Sequence, residues 1–228
     1  MLRPRLIGNR DFRLLWAGET LSELGSQSAM VAYPLLVLSL TGSPTKAGAV
    51  GLAKWLPLAL FSLPAGVLAD RFNRKRLMVA CDVLRMLGAA SIVVALVLGQ
   101  PAYLQIVLVA FLDGALYITS YICERGALAH VVETDRLQDA VAQNEARLYA
   151  AGIVGPSLGG VLFAAARALP FAVDAVTFMC STAAITATRT RFQTATSRDS
   201  QTRRALATEW REGFSWLWSR PFFRTTAP

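Results

Sequence analysis

Six long apolar runs constrain the fold of this 228-residue chain more than any other feature. A helix needs about 17 to 25 residues to cross roughly 30 Å of hydrocarbon, and each run supplies that length. Charged residues make up only 17% of the chain, which is too little polarity for the surface of a soluble fold of this size. The pattern predicts an all-α polytopic membrane protein with six transmembrane helices, at 12–40, 47–69, 77–98, 102–123, 140–165 and 170–187.

The basic residues predict how these helices are oriented. The chain carries a net charge of +8, and most of its arginines and lysines lie before the first apolar run or after the second, fourth and sixth. Short basic loops stay in the cytoplasm, so both termini are expected there, with the protein in the inner (plasma) membrane. The positive charge is explained by this orientation, and a nucleic-acid partner is not expected.

The sequence offers little for an enzyme or a metal site. His130 is the only histidine, so a histidine-based metal site or a Ser-His-Asp triad lacks its parts. Cys81, Cys123 and Cys180 lie in or beside apolar runs without a pairing spacing, as packed free thiols do. We therefore expect no catalytic residue, no metal and no cofactor.

Ionisable residues inside the spans are candidates for function, because their burial in lipid is costly. With a rise of about 1.5 Å per residue, Glu19 lies about 9 Å deep, Glu23 about 15 Å and Asp113 about 16 Å, the last two near the membrane midplane. Each belongs to a polar stripe at helical spacing, and the stripe of span four ends at Glu124. Two facing polar stripes predict a water-accessible cavity between spans one and four.

Two roles remain open for these carboxyl groups. Burial disfavours the charged form of a carboxyl, so Glu23 or Asp113 is a candidate to exchange a proton near neutral pH. The alternative is structural: one or both bond to a neighbouring helix or pair with a basic residue.

Two further motifs lie inside apolar runs. Asp82 and Arg85 are three residues apart in span three and predict a local ion pair. The segment "GIVGPSLGG" fails as a dinucleotide-binding loop, because no strand precedes it. Its glycines and proline instead predict close helix packing with a bend, at Gly155, Pro156, Gly159 and Gly160.

The loop after span two, "GVLADRFNRKRL", carries the most specific motif. Together with the six spans it resembles the N-terminal half of a major facilitator superfamily transporter, whose loop pattern is matched by Gly66, Asp70, Arg71, Arg74 and Lys75. Asn73 stands where the family has glycine, a mild departure because asparagine also adopts left-handed backbone angles. In addition, "GPSLGG" resembles the antiporter motif, and several segments are similar to the bacterial exporter branch for macrolides and siderophores.

This resemblance implies a function and a set of partners. It implies proton-coupled efflux of a small molecule across the lipid bilayer by alternating access, with spans one and four lining the cavity. It also implies a conformational role for Asp70, which would bond to a helix N-terminus or a basic neighbour in one transport state and release it in the other.

The expected organisation has three parts: a cytoplasmic tail at 1–12, the bundle at 13–189, and a basic linker with an amphipathic helix at 190–228. That last part leads towards a seventh span that the 228 residues do not include. Family members have twelve spans, so we expect the chain to need a second six-helix half or a second copy of itself. The alternative is a truncated, non-transporting membrane fragment.

Overall fold

The computed structural model describes residues 10–132 and 136–190. This part folds into six α-helices, each long and apolar enough to cross a membrane, which confirms the predicted fold class. The helices are α1 (Arg10–Thr41), α2 (Pro44–Arg71), α3 (Arg74–Val97), α4 (Tyr103–Val131), α5 (Leu137–Ala165) and α6 (Leu169–Ala187). The predicted tail up to residue 9 and the predicted linker and amphipathic helix after residue 190 lie outside the described residues.

Local sequence signals determine where the helices begin and end. Gly42 has a φ of 65° between α1 and α2, a left-handed angle that glycine adopts without steric cost. Asn73 caps α3 instead: its side chain accepts a hydrogen bond from the Arg76 backbone N–H at 3.1 Å. The expectation that Asn73 substitutes for glycine through a left-handed angle was wrong, because its φ is −64°.

The helix α4 continues to Val131, beyond the predicted end at residue 123. Two charged residues that follow the predicted end of the span find partners on α5. Glu124 accepts a hydrogen bond from Arg147 at 2.7 Å, and Arg125 pairs with Glu145. With these charges compensated, the helix extends without leaving a charged group unpaired.

The packing places α1 at the centre of the bundle, against α2, α5 and α6, while α3 packs on α4 and α6, and α2 on α4. Asp11 accepts a 2.7 Å hydrogen bond from the Thr190 backbone N–H, so the first and last described residues lie at one end. An apolar core near that end includes Leu15 and Met78, and a second core includes Tyr33 and Phe171 in edge-to-face contact. Charged residues occupy the interior between these cores.

Candidate functional site

Asp113 of α4 lies between two cations from neighbouring helices. Arg85 of α3 donates from Nε to Oδ1 at 2.6 Å, and Lys54 of α2 donates from Nζ to Oδ2. At most 11% of any of these three side chains is exposed. The structure thus shows the predicted deep carboxyl in a buried ion pair with both basic groups, which is the structural role left open by the sequence.

The same contacts extend to α1 and α6. Arg85 Nη2 donates to Ser26 Oγ at 3.0 Å, and Ser26 Oγ donates to Asp174 Oδ1 at 3.4 Å. The guanidinium also lies over the ring of Phe178, 4.3 Å from its centroid. We call Ser26, Lys54, Arg85, Asp113 and Asp174 the central charge network; its two basic and two acidic side chains balance in formal charge.

Asp82 and Arg85, the predicted ion pair, form no close salt bridge within the described residues. Arg85 reaches across the helix interface to Asp113 rather than along α3 to Asp82, because the long side chain satisfies more of its donors between α1 and α4. Asp82 lies beside Ser181 of α6, and among the described residues its Oδ2 is buried without a hydrogen-bond partner. The charges of Asp82 and Arg85 still interact electrostatically.

A second buried ion pair lies nearer the end that holds Asp11. The side chains of Arg147 and Glu124 are only 1% and 5% exposed. Glu19 interacts electrostatically with both of them and with Asp82. Several buried polar atoms here have no hydrogen-bond partner in the part of the chain that the structure describes, including Arg147 Nε and Nη1 and Glu19 Oε1. Unpaired buried groups of this kind require water or a different set of partners to satisfy them.

The two carboxyl groups of α1 differ from Asp113 and Glu124. Glu23 is buried and accepts a 2.7 Å hydrogen bond from Gln27 Nε2. Within residues 10–132 and 136–190, neither Glu19 nor Glu23 takes part in an ion pair. Their protonation would therefore break no salt bridge seen in this conformation.

A cavity that is open on one side lies between the first four helices, and the empty space within it is about 440 Å³ when the space at its opening is included. The sequence predicted a cavity bounded by spans one and four, and α2 and α3 contribute to its wall as well. Neither Glu23 nor Asp113 is among its lining residues. Lys54 and Arg85, which both contact the Asp113 carboxylate, line the wall in its place. The wall consists of Ser26, Gln27, Met30, Lys54, Trp55, Leu58, Arg85, Gly114 and Tyr117.

The junction of α2 and α3 forms hydrogen bonds with the C-terminal end of α6. Asp70, whose side chain is 76% exposed, accepts a hydrogen bond from Arg74 Nη2 at 3.1 Å. Lys75 Nζ donates to the carbonyl oxygens of Thr186 and Thr188 at 3.1 and 2.6 Å. Lys75 thereby bonds carbonyl groups left free at the C-terminus of α6. Gly66 and Arg71 of the motif lie on the last turns of α2.

The glycine segment of α5 packs against α1 through alternate residues. A Cβ atom added to Gly155 would lie 2.3 Å from Gln27 Cβ, and one added to Gly159 would lie 2.2 Å from the Ser28 carbonyl oxygen. A Cβ added to Gly160 would meet nothing within 4 Å among the described residues, so Gly160 takes no part in this contact with α1. Successive residues point about 100° apart on a helix, so Gly159 and Gly160 cannot face the same neighbour. Pro156 lies inside α5 without ending it.

Sequence reasoning missed three charged residues of these networks: Lys54, Asp174 and Arg147. Lys54 and Asp174 each stand as a single charged residue within an apolar run, "GLAKWLPLAL" and "PFAVDAVTF". The rule that an intramembrane ionisable residue marks a functional site would have found them. It was applied to the carboxyl groups of spans one and four and to the pair in span three, and not to these runs.

Comparisons with known proteins agree with this architecture. The sequence model of a family described as transmembrane secretion effector matches residues 6–216. A multidrug efflux pump, Tap, of Mycolicibacterium fortuitum is 33% identical over 213 residues, which cover 89% of this chain and 51% of that protein. An uncharacterized MFS-type transporter, YfiS, of Bacillus subtilis is 29% identical over 72% of this chain and 39% of its own length. Macrolide efflux protein A of Streptococcus pyogenes is 29% identical over 42% of this chain and 24% of its own length. The chain spans about half the length of the Tap relative.

Proposed function

The chain belongs to the transmembrane secretion effector family of the major facilitator superfamily, and from this premise we propose that it takes part in small-molecule efflux as one six-helix half. The observation that carries the proposal is the central charge network beside the cavity between the first four helices. Buried charges of this kind are expensive inside a membrane bundle and are expected where a pathway or binding site needs them.

The proposed cargo is drug-like or siderophore-like. Two of the relatives are named for efflux of multiple drugs and of macrolides. The cavity combines aromatic and aliphatic walls, from Trp55, Leu58 and Met30, with a few polar groups, which suits an amphipathic molecule. Alternating access would expose this wall first to one side of the membrane and then to the other.

The proposed coupling ion is the proton, and the proposed carrier is Glu23, with Glu19 one turn away. Both carboxyl groups lie on the polar stripe of α1, and no ion pair in the described residues holds either in its charged form. Asp113 and Glu124 are each bonded to a cation from another helix. We therefore assign Asp113 and Glu124 to the positioning of helices rather than to proton transfer.

Replacing Glu23 with glutamine is expected to uncouple substrate from proton movement. Proteoliposomes would contain this chain together with the half of the Tap protein of Mycolicibacterium fortuitum that it does not match. A lumenal pH dye would report proton movement on addition of erythromycin, a macrolide. Glu23→Gln should lower the initial rate about tenfold or more, corresponding to about 1.4 kcal/mol, because the amide cannot carry the proton.

The matched control is Glu145→Gln, which makes the same chemical change at an exposed pair with Arg125. Glu145→Gln should retain the initial rate of proton movement on addition of erythromycin. If Glu23→Gln and the double variant with Glu19→Gln both couple as well as the unsubstituted chain, the carrier is not in α1.

We propose that a second six-helix half, or a second copy of this chain, completes the transport pathway. Omitting the Tap half from the proteoliposomes separates the cases: transport by this chain alone supports a homodimer. If neither preparation transports erythromycin, while a substrate panel also fails, the chain acts as a non-transporting membrane fragment. The proposed placement is the plasma membrane with both termini in the cytoplasm.

We propose that Asp70, in the last turn of α2, acts as a conformational latch. Its side chain is 76% exposed and accepts a hydrogen bond from Arg74 at the start of α3, so it lies at a surface that a second half can reach. Asp70→Asn is therefore expected to slow transport severalfold only when the second half is present, while binding to this chain alone stays unchanged. A loss of binding by the chain alone would show that the residue acts within its own half.

A further inference from the structure

We propose that the cavity between the first four helices recognises an anionic oxygen group, such as a carboxylate, on an aromatic or apolar body, and that Lys54 determines this preference. The inference rests on the proposed function, because it names the substrate class of the same cavity. It follows from where the charges of the central charge network stand relative to the wall.

The cations of the network face the cavity, and its carboxylates lie behind them. Lys54 and Arg85 line the wall, whereas Asp113 and Asp174 do not. Asp113 uses one hydrogen of the Lys54 ammonium and the Nε–H of Arg85. An ammonium has three N–H donors and a guanidinium five, so both groups retain donors beyond those bonds. The polar part of the wall therefore presents mainly hydrogen-bond donors and positive charge.

The carboxylates behind the wall hold the two cations in place. Arg85 is fixed by Asp113, by Ser26 and by the Phe178 ring, and Lys54 by Asp113 and by the Tyr33 ring 5.1 Å away. Preorganised donors of this kind bind an anion without first having to be ordered. Charge-assisted bonds from lysine and arginine to a carboxylate are also among the stronger hydrogen bonds in proteins.

The remaining wall fits an aromatic or apolar body. Trp55 is 52% exposed beside Lys54, on the same helix, and Tyr117 lies across the cavity under the Arg85 guanidinium. Leu58 and Met30 complete an apolar side. A flat aromatic acid would place its ring against Trp55 and its carboxylate against the Lys54 ammonium. A cationic molecule of the same shape would not gain the contact with the Lys54 ammonium.

Three probes that share one ring system test this preference. The chain in nanodiscs of phosphatidylcholine would be titrated calorimetrically with 1-naphthoate, 1-naphthalenemethanol and 1-naphthylmethylammonium. We expect naphthoate to bind at least about tenfold more tightly than either of the other two. Lys54→Met should remove that advantage, while Lys46→Met, on the same helix but outside the cavity, should preserve it.

A second variant and a competition experiment test the proposal if Lys54→Met does not fold. Trp55→Leu, a change at a half-exposed side chain, should weaken naphthoate binding severalfold. The proposal is overturned if the three probes bind alike, or if folded Lys54→Met and Trp55→Leu both bind naphthoate unchanged. Competition by phosphatidylglycerol added to the nanodiscs would assign the site to a lipid headgroup and would also overturn it.

These outcomes are separable from the failure of the proposed function. Binding of naphthoate that depends on Lys54, without any macrolide-driven proton movement, leaves this inference standing and removes proton-coupled macrolide efflux. Proton-coupled macrolide transport without an anion preference in binding leaves the proposed function standing and overturns this inference.

Discussion

Replacing Gly159 with alanine should destabilise the bundle strongly. The added Cβ would lie 2.2 Å from the Ser28 carbonyl oxygen and 2.9 Å from the Ser28 Cα, so it meets backbone of α1 and not the end of a mobile side chain. Relief requires α5 to move away from α1, which breaks packing along the whole interface. We expect a loss of about 3 kcal/mol, seen as a fall of about 6 to 12 °C in the midpoint of thermal unfolding.

The neighbouring Gly160 provides a matched control, because it differs from Gly159 in surroundings and not in chemistry. A Cβ at Gly160 meets nothing within 4 Å. Alanine also has a better helix propensity than glycine, by about 1 kcal/mol. Gly160→Ala should therefore leave the midpoint unchanged or raise it. Equal midpoints for the two variants, measured by circular dichroism of the purified chain in detergent, would contradict the close packing of α5 on α1.

The glycine segment also shows how far sequence reasoning reaches. The spacing of Gly155 and Gly159 predicts one helix face, since residues four apart lie on the same side. It does not say which helix that face meets, because this depends on the topology of all six helices. Gly160 was included because it is the next glycine in the segment, although the helical period places it on a different face from Gly155 and Gly159.

The six spans were predictable for a different reason. A bilayer demands that every backbone polar group be satisfied within the segment, so a long apolar run has one stable solution. The partners of charged side chains follow no such rule. Arg85 had an acidic residue three positions away in Asp82, and the local rule favoured that pair. The structure pairs it with Asp113, 28 residues along the chain, because both side chains point into the same interior layer.

The candidate proton carriers are a second case in which the sequence does not determine the partners of a charged side chain. Depth along a helix can be counted from the sequence, and it placed Glu23 and Asp113 near the midplane alike. Which of them has a cation beside it depends on Lys54 and Arg85, on two other helices. The proposed distinction between a proton carrier and a positioning carboxylate therefore rests on the packing of four helices.

Asp113→Asn should destabilise the folded chain more than it affects any single functional step. The substitution leaves Lys54 and Arg85 facing each other without the carboxylate that both contact. Removing one partner of a buried ion pair typically costs about 3 to 5 kcal/mol. We expect a loss of that size in the free energy of unfolding, measured by reversible denaturation in mixed detergent micelles and followed by circular dichroism.

A second substitution should restore most of this loss. In the double variant Asp113→Asn, Lys54→Met, one cation and one anion are both removed, and Arg85 keeps Asp174 across Ser26 as its counter-charge. The ion pair of Asp70 with Arg74, in which the Asp70 side chain is largely exposed, provides the contrast. Asp70→Asn should change the free energy of unfolding by less than about 1 kcal/mol. If the double variant is as unstable as Asp113→Asn alone, charge balance is not what stabilises the network. If it recovers, any transport defect of Asp113→Asn reflects the lost counter-charge, and proton coupling has to be tested at Glu19 and Glu23.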